Sequence, residues 1–283
     1  MSEQYASFLK HLEELRRRLI VIIVAVVFGM GVAWSYSDSA LRLLERPLNS
    51  VTYLTVLKRL AFHQLEFKAP KLYERLGFTE EVVAPEKLYR LNYSAPLEPF
   101  FVQCKIAMLL GLVFALPVVF WQIWQFVAPG LTVGERRLVG PFVVFSTLAF
   151  CLGAAFFLAV IWPVVINFSL SYEVTGLQSW FNISAYVNFC LRLVLMFGLI
   201  FELPVLTLVL ARFGLVNYSM LAPKRKYALL ASSIVAAFHA DLVTMFVIMV
   251  PLYLMYEISI WVALLFGKSQ AVDDAAVAKL EPV

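Results

Sequence analysis

Three glutamates are the residues whose types and surroundings could support chemistry or binding. Glu202 lies inside a long apolar stretch, whereas Glu14 and Glu135 each lie beside a group of arginines. A charged side chain at the centre of a membrane costs about 2.5 to 3.5 kcal/mol on insertion scales, so Glu202 should face a polar cavity or a partner. Two carboxylates at one surface would suit a cationic ligand, because each can bind a guanidinium through two hydrogen bonds. Lysine would fit such a site less well.

Each of these acids also has a simpler interpretation that the sequence alone leaves open. Glu202 could be a structural partner of Arg192, or its carboxyl could be kept neutral by its surroundings. Glu14 could pair with Arg18 one helical turn along the chain. Glu135 could be an acid in the first turn of a helix, where the helix dipole favours it.

The composition indicates a membrane protein. Of the 283 residues, 62% are hydrophobic and 15% are charged, and the mean hydropathy is +0.83. Soluble domains carry about 45 to 50% apolar and about 25% charged residues. The net charge of +4 comes with no basic stripe with interleaved aromatic residues, so no nucleic-acid partner is predicted.

Six apolar runs predict six transmembrane helices kinked at prolines. The fifth run has roughly a dozen residues, fewer than the ~20 needed to cross the hydrocarbon core, so it should reach only part way or thin the bilayer. A very short turn should link it to the sixth. The runs cover residues 19–34, 100–126, 138–167, 185–210, 227–238 and 242–266.

The fold class is therefore all-α, with a single polytopic membrane domain over residues 19–266. Residues 1–18 should form an amphipathic cytoplasmic lead-in at the membrane surface. Residues 35–98 are too polar to span and should form a periplasmic cap loop with short helices near 38–46 and 70–76. Residues 267–283 are rich in small residues and should be a disordered cytoplasmic tail.

The distribution of lysine and arginine predicts the orientation. The segments before the first helix, between the second and third, between the fourth and fifth, and after the sixth carry four, two, four and two of these residues, and the opposite short loops carry none. Cytoplasmic loops carry this excess, so both termini should be cytoplasmic. Glu14 and Glu135 would then share the cytoplasmic face.

The sequence offers no motif for an enzyme. Gly267-Lys268-Ser269 lacks the earlier glycine of a phosphate-binding loop. The three histidines lie in different segments without paired ligand spacing. No catalytic residue, cofactor or metal site is predicted.

Several motifs, in order along almost the whole chain, resemble the TatC family, the multispanning subunit of the twin-arginine protein translocase. The central one lies between the second and third helices, in the segment 126–137. The motifs are His11-Leu12-Glu13-Glu14-Leu15-Arg16, Pro47-Leu48, Pro96-Leu97-Glu98-Pro99-Phe100-Phe101, Phe126-Val127-Ala128-Pro129-Gly130-Leu131, Gly134-Glu135-Arg136-Arg137, Phe197-Gly198 with Phe201-Glu202 and Pro204, and Pro251-Leu252-Tyr253 with Tyr256-Glu257.

The resemblance implies a receptor for folded precursor proteins that carry twin-arginine signal peptides. Glu135 and Glu14 match the glutamates that receive the signal arginines. Glu202 matches an intramembrane polar residue on the inner side of the helix wall, and Asp241 matches an acid near the docking site of partner subunits. The neighbouring positions of the signal-peptide site are Phe126, Leu131, Arg136 and Arg137.

The resemblance also implies partners and a location. TatB-like and TatA-like single-span subunits would join this chain, itself oligomeric, in the cytoplasmic (inner) membrane, and the proton motive force would drive transport. The alternative from another class is a proton-coupled small-molecule transporter that uses Glu202 and Arg192. Neutralising Glu202 should damage a transporter most, whereas neutralising Glu14 and Glu135 should damage a receptor most.

Overall fold

The computed structural model describes residues 2–49, 89–127, 139–171, 180–237 and 242–267. Helices dominate this part of the chain, as predicted. The helices are α1 (Ser2–Ala33), α2 (Ser37–Asn49), α3 (Glu98–Val127), α4 (Val139–Phe156), α5 (Trp162–Ser171), α6 (Ile183–Arg212), α7 (Tyr218–Leu221), α8 (Arg225–Ala237) and α9 (Leu242–Phe266).

Five helical stretches are long and apolar enough to cross a membrane. The fifth predicted span corresponds to α8, whose 13 residues extend about 20 Å, less than the ~30 Å hydrocarbon core. The polytopic all-α class is thus confirmed, and the count of six spans stays a prediction. The five stretches are Leu12–Leu48, Glu98–Val127, Val139–Leu170, Ile183–Arg212 and Thr244–Phe266.

The first predicted span and its lead-in form one helix, because α1 runs without a break from Ser2 to Ala33. The third predicted span is interrupted, since a π-helical turn, Phe157–Ile161, separates α4 from α5. This turn places Phe157 and Trp162 in the core, where they are 0% and 1% exposed. A π turn absorbs an extra residue within a helix, and a stretch that is apolar on all sides gives no sequence signal of it.

The segment that follows α1 begins with α2, which confirms the helix predicted near 38–46; its place in a periplasmic cap stays a prediction. Its first turn holds Asp38 and its last turn holds Arg46, as the helix dipole favours. The Leu44 carbonyl accepts hydrogen bonds from Trp162 Nε1 at 3.1 Å and from the Tyr186 hydroxyl at 2.6 Å. These bonds attach α2 to α5 and α6. The helix predicted at 70–76 lies outside the described residues.

Two strands of two residues each were not predicted. β1 (Leu91–Asn92) pairs in parallel with β2 (Phe181–Asn182), which ties together the segments that lead into α3 and α6. Asn182 also caps α6, since its side chain accepts a hydrogen bond from the Ala185 N–H at 3.0 Å.

Glycines set the closest helix contacts. A Cβ at Gly29 of α1 would lie 2.5 Å from the Gly111 carbonyl oxygen of α3, and a Cβ at Gly198 of α6 would lie 2.5 Å from the Phe150 ring of α4. Small residues allow membrane helices to approach closely in this way. These two crossings fix which residues of the neighbouring helices meet.

Candidate functional site

A polar cavity of about 330 Å³, here called the Glu14 cavity, lies between one end of α1 and one end of α3. The Gly29–Gly111 crossing positions it. Arg18 precedes Gly29 by eleven residues, Gln122 follows Gly111 by eleven, and the two helices are antiparallel, so both residues lie about 16 Å from the crossing. The lining residues are Glu14, Arg17, Arg18 and Val21 of α1 and Trp121, Gln122 and Gln125 of α3.

Arg18 links the two helices that form the cavity. Its Nη2 donates to Glu14 Oε1 at 2.5 Å, and its Nη1 donates to the Gln122 carbonyl at 3.3 Å. The pair of Glu14 with Arg18 is the simpler alternative raised by the sequence, and it is present. The Arg18 side chain is 16% exposed and that of Glu14 is 37% exposed. Arg18 thus fixes a partly accessible carboxylate at the cavity.

The side chains that line the cavity carry a net positive charge. Among its lining residues, all within the described part of the chain, there is one carboxylate, Glu14, and two guanidinium groups, Arg17 and Arg18. Arg18 Nε is buried and has no hydrogen-bond partner among the described residues. A cationic ligand would therefore need a second acid in addition to Glu14, because two guanidinium groups and only one carboxylate already line the cavity.

The structure describes only some of the predicted site residues. Phe126 is half-buried at the end of α3, one turn beyond Gln122. Sequence reasoning missed Arg17, Trp121, Gln122 and Gln125 as lining residues. The available signal was the presence of two glutamines in the otherwise apolar last turns of α3. Leu131, Glu135, Arg136, Arg137 and Asp241 lie outside the described residues.

Glu202 lies on α6, outside the Glu14 cavity. Its carboxyl lies near the Ser146 side chain and the Phe150 backbone of α4. Its Oε1 is buried and has no partner among the described residues. Arg192 is exposed and lies ten residues earlier, about 15 Å along the same helix. The structure therefore places Glu202 against α4, too far from Arg192 for the pair that was one of the alternatives left open by the sequence.

The α4–α6 glycine crossing explains the position of Glu202. Gly153 of α4 packs against Phe197 and Phe201, and Gly198 of α6 packs against Phe150. Ser146, two turns before Gly153, is 1% exposed in this contact. The close approach brings the Ser146 hydroxyl to Glu202, so the intramembrane acid is placed by helix packing.

Known proteins are similar to this chain in both sequence and fold. The family model described as "Sec-independent protein translocase protein (TatC)" matches residues 10–251. A Sec-independent protein translocase protein TatC from Desulforapulum autotrophicum is 30% identical over 279 residues, covering 98% of this chain and 91% of the relative. The TatC protein from Koribacter versatilis is 33% identical over 262 residues, covering 92% and 85%.

Solved structures agree. A crystal structure of the twin-arginine translocase receptor TatC superposes with a TM-score of 0.67 at 30% identity, covering 89% of this chain and 97% of that one. A second structure of the receptor, in DDM, gives a TM-score of 0.69 at 29% identity and covers 89% and 99%. The protein thus belongs to the TatC family and is a receptor component of the Sec-independent, twin-arginine protein translocase.

Proposed function

We propose that the Glu14 cavity receives the arginine pair of twin-arginine signal peptides. The observation that carries this proposal is the position of Glu14, whose carboxylate is held by Arg18 yet remains partly accessible at a polar cavity. A carboxylate accepts several hydrogen bonds at once. An incoming guanidinium therefore joins Arg18 at Glu14, or takes its place there and at the Gln122 carbonyl.

The second signal arginine needs a second acid, and Glu135 is the proposed one. The segment 128–138 joins the end of α3 at Val127 to the start of α4 at Val139. Val139 packs in one cluster with Trp124, one residue before the cavity-lining Gln125. The connection that carries Glu135 thus starts and ends at the same end of α3 as the cavity. Leu131, Arg136 and Arg137 of the same connection, and Phe126, would complete the site.

The hydrophobic stretch of the signal peptide would lie along the apolar flanks of the cavity. Val21 lines the cavity on α1, and Trp121 on α3 is 44% exposed. An exposed aromatic beside a carboxylate and two amides suits a ligand that is cationic at one end and apolar at the other.

The remaining roles follow from this assignment. We assign the Glu14 cavity to the cytoplasmic face of the inner membrane, with both termini cytoplasmic. Glu202 would act within the membrane and Asp241 near the docking site of TatB-like and TatA-like subunits, in a complex with several copies of this chain. The receptor would catalyse no covalent chemistry, and the proton motive force would drive transport.

The test is photocrosslinking in membranes. A twin-arginine signal peptide with a photoreactive residue beside the arginine pair should form adducts within residues 12–21 and 121–125. A peptide with two lysines in place of the arginines is the matched control and should form few. Adducts around Glu202 on α6, or equal labelling by both peptides, would overturn the proposal.

A further inference from the structure

A second cavity, here called the α8 groove, has properties unlike those of the Glu14 cavity. It has a volume of about 620 Å³ and is lined almost wholly by apolar side chains of α6, α8 and α9. Among the described residues, α6 and α8 each pack on α9 and hardly touch each other. The groove is therefore the space between α6 and α8, and α9 forms its floor.

The length of the groove indicates what can fill it. From Lys224 at one end to Val235 at the other, both lining residues, the chain rises about 16 Å, which is about half of the ~30 Å hydrocarbon core. The groove therefore spans about one leaflet, which matches the acyl chain of a lipid in that leaflet.

The polar end of the groove is positively charged. Lys224 lines it and is exposed, and within the described part of the chain no carboxylate pairs with it. The next residue, Arg225, is held by Glu257, with Nε–Oε1 at 2.9 Å and Nη2–Oε2 at 3.1 Å. Lys224 thus remains available for an anion at the membrane surface, whereas Arg225 is engaged.

We propose that the α8 groove binds an anionic phospholipid of the leaflet that contacts Lys224, with an acyl chain between α6 and α8 and the phosphate on Lys224. The lipid fills the gap left by the shortness of α8 and by its scarce contact with α6. The apolar lining binds the acyl chain, and Lys224 attracts a negatively charged headgroup. This proposal does not depend on signal-peptide binding.

The experiment uses the purified full-length protein, delipidated in detergent and titrated with phosphatidylglycerol that carries a diazirine on its acyl chain. Adducts should map to residues 196–203 and 227–235. Lys224→Gln should weaken labelling about fivefold, whereas Lys226→Gln should change it much less. The same titration with a phosphatidylcholine probe should be less sensitive to Lys224→Gln, because the cationic choline offsets the charge of the phosphate.

A second pair of variants tests the groove itself. Ala231 lines it, so Ala231→Phe should abolish labelling by both probes. Ile234, three residues on, is exposed and lies outside the lining, so Ile234→Phe should have no effect. Three results would overturn the proposal: labelling that ignores Ala231→Phe, equal behaviour of both headgroups, or a cysteine at position 231 that crosslinks to a polypeptide in native membranes.

Discussion

Arg18 of α1 donates a hydrogen bond to the backbone carbonyl of Gln122 on α3 at 3.3 Å while it holds Glu14 on its own helix. Both residues lie eleven positions from the glycines at which the two helices cross. The position of the proposed peptide-binding carboxylate is therefore set by a contact about 16 Å away.

The glycine crossing should be sensitive to a single methyl group. Gly29→Ala places a Cβ 2.5 Å from a backbone oxygen of α3 that cannot move aside easily. We expect a loss of about 1 to 3 kcal/mol in unfolding free energy and weaker signal-peptide binding, because Arg18 shifts away from Gln122. Thermal unfolding in detergent and peptide titration would measure both effects.

Gly31→Ala is the matched control for that variant. Gly31 lies two residues after Gly29 on α1, and a Cβ at Gly31 would meet nothing within 4 Å. It should leave binding unchanged and stability equal or slightly higher, since alanine favours a helix over glycine by up to about 1 kcal/mol. Equal effects of the two substitutions would show that the crossing does not position the cavity.

The attachment of α2 should depend on the two side chains that donate hydrogen bonds to the Leu44 carbonyl. Trp162→Phe and Tyr186→Phe each remove one donor and leave an aromatic ring in place. Each should lower the unfolding free energy by about 0.5 to 1.5 kcal/mol. The double variant should deviate from additivity, because both donors share one acceptor. Strictly additive losses in a double-mutant cycle would contradict the shared role of this carbonyl.

The role of Glu202 in translocation should be separable from signal-peptide binding. It contacts α4 and is absent from the lining of the Glu14 cavity. Glu202→Gln keeps a group that can bond with Ser146, so we expect normal folding and normal signal-peptide affinity, but impaired translocation of a precursor in membrane vesicles. Arg192→Gln should affect neither. A loss of peptide affinity in Glu202→Gln would contradict this separation of Glu202 from the peptide-binding site.

The sequence predicted the helices better than their contacts. Long apolar runs located the spans, and α9 begins and ends at the predicted residues 242 and 266. The π turn at Phe157–Ile161 and the two-residue strands were missed, because neither produces a hydrophobic periodicity. Such features depend on tertiary packing.

The candidate site was only partly predictable for the same reason. Glu14 and its pairing with Arg18 follow from local spacing along one helix. Gln122 and Gln125 join the cavity through the register of α1 on α3, which the glycine crossing determines and no local pattern reveals. The roles of Leu131, Glu135, Arg136, Arg137 and Asp241 stay predictions.

The most direct test of the receptor site is the affinity of a twin-arginine signal peptide for the purified protein with Glu14→Gln, compared with Glu13→Gln. Glu13 is the adjacent acid, is exposed and does not line the cavity. Loss of a charged hydrogen-bond acceptor is worth about 1.5 to 3 kcal/mol, so Glu14→Gln should weaken binding about 10- to 100-fold while Glu13→Gln binds like wild type. Equal affinities for the two variants would contradict the account.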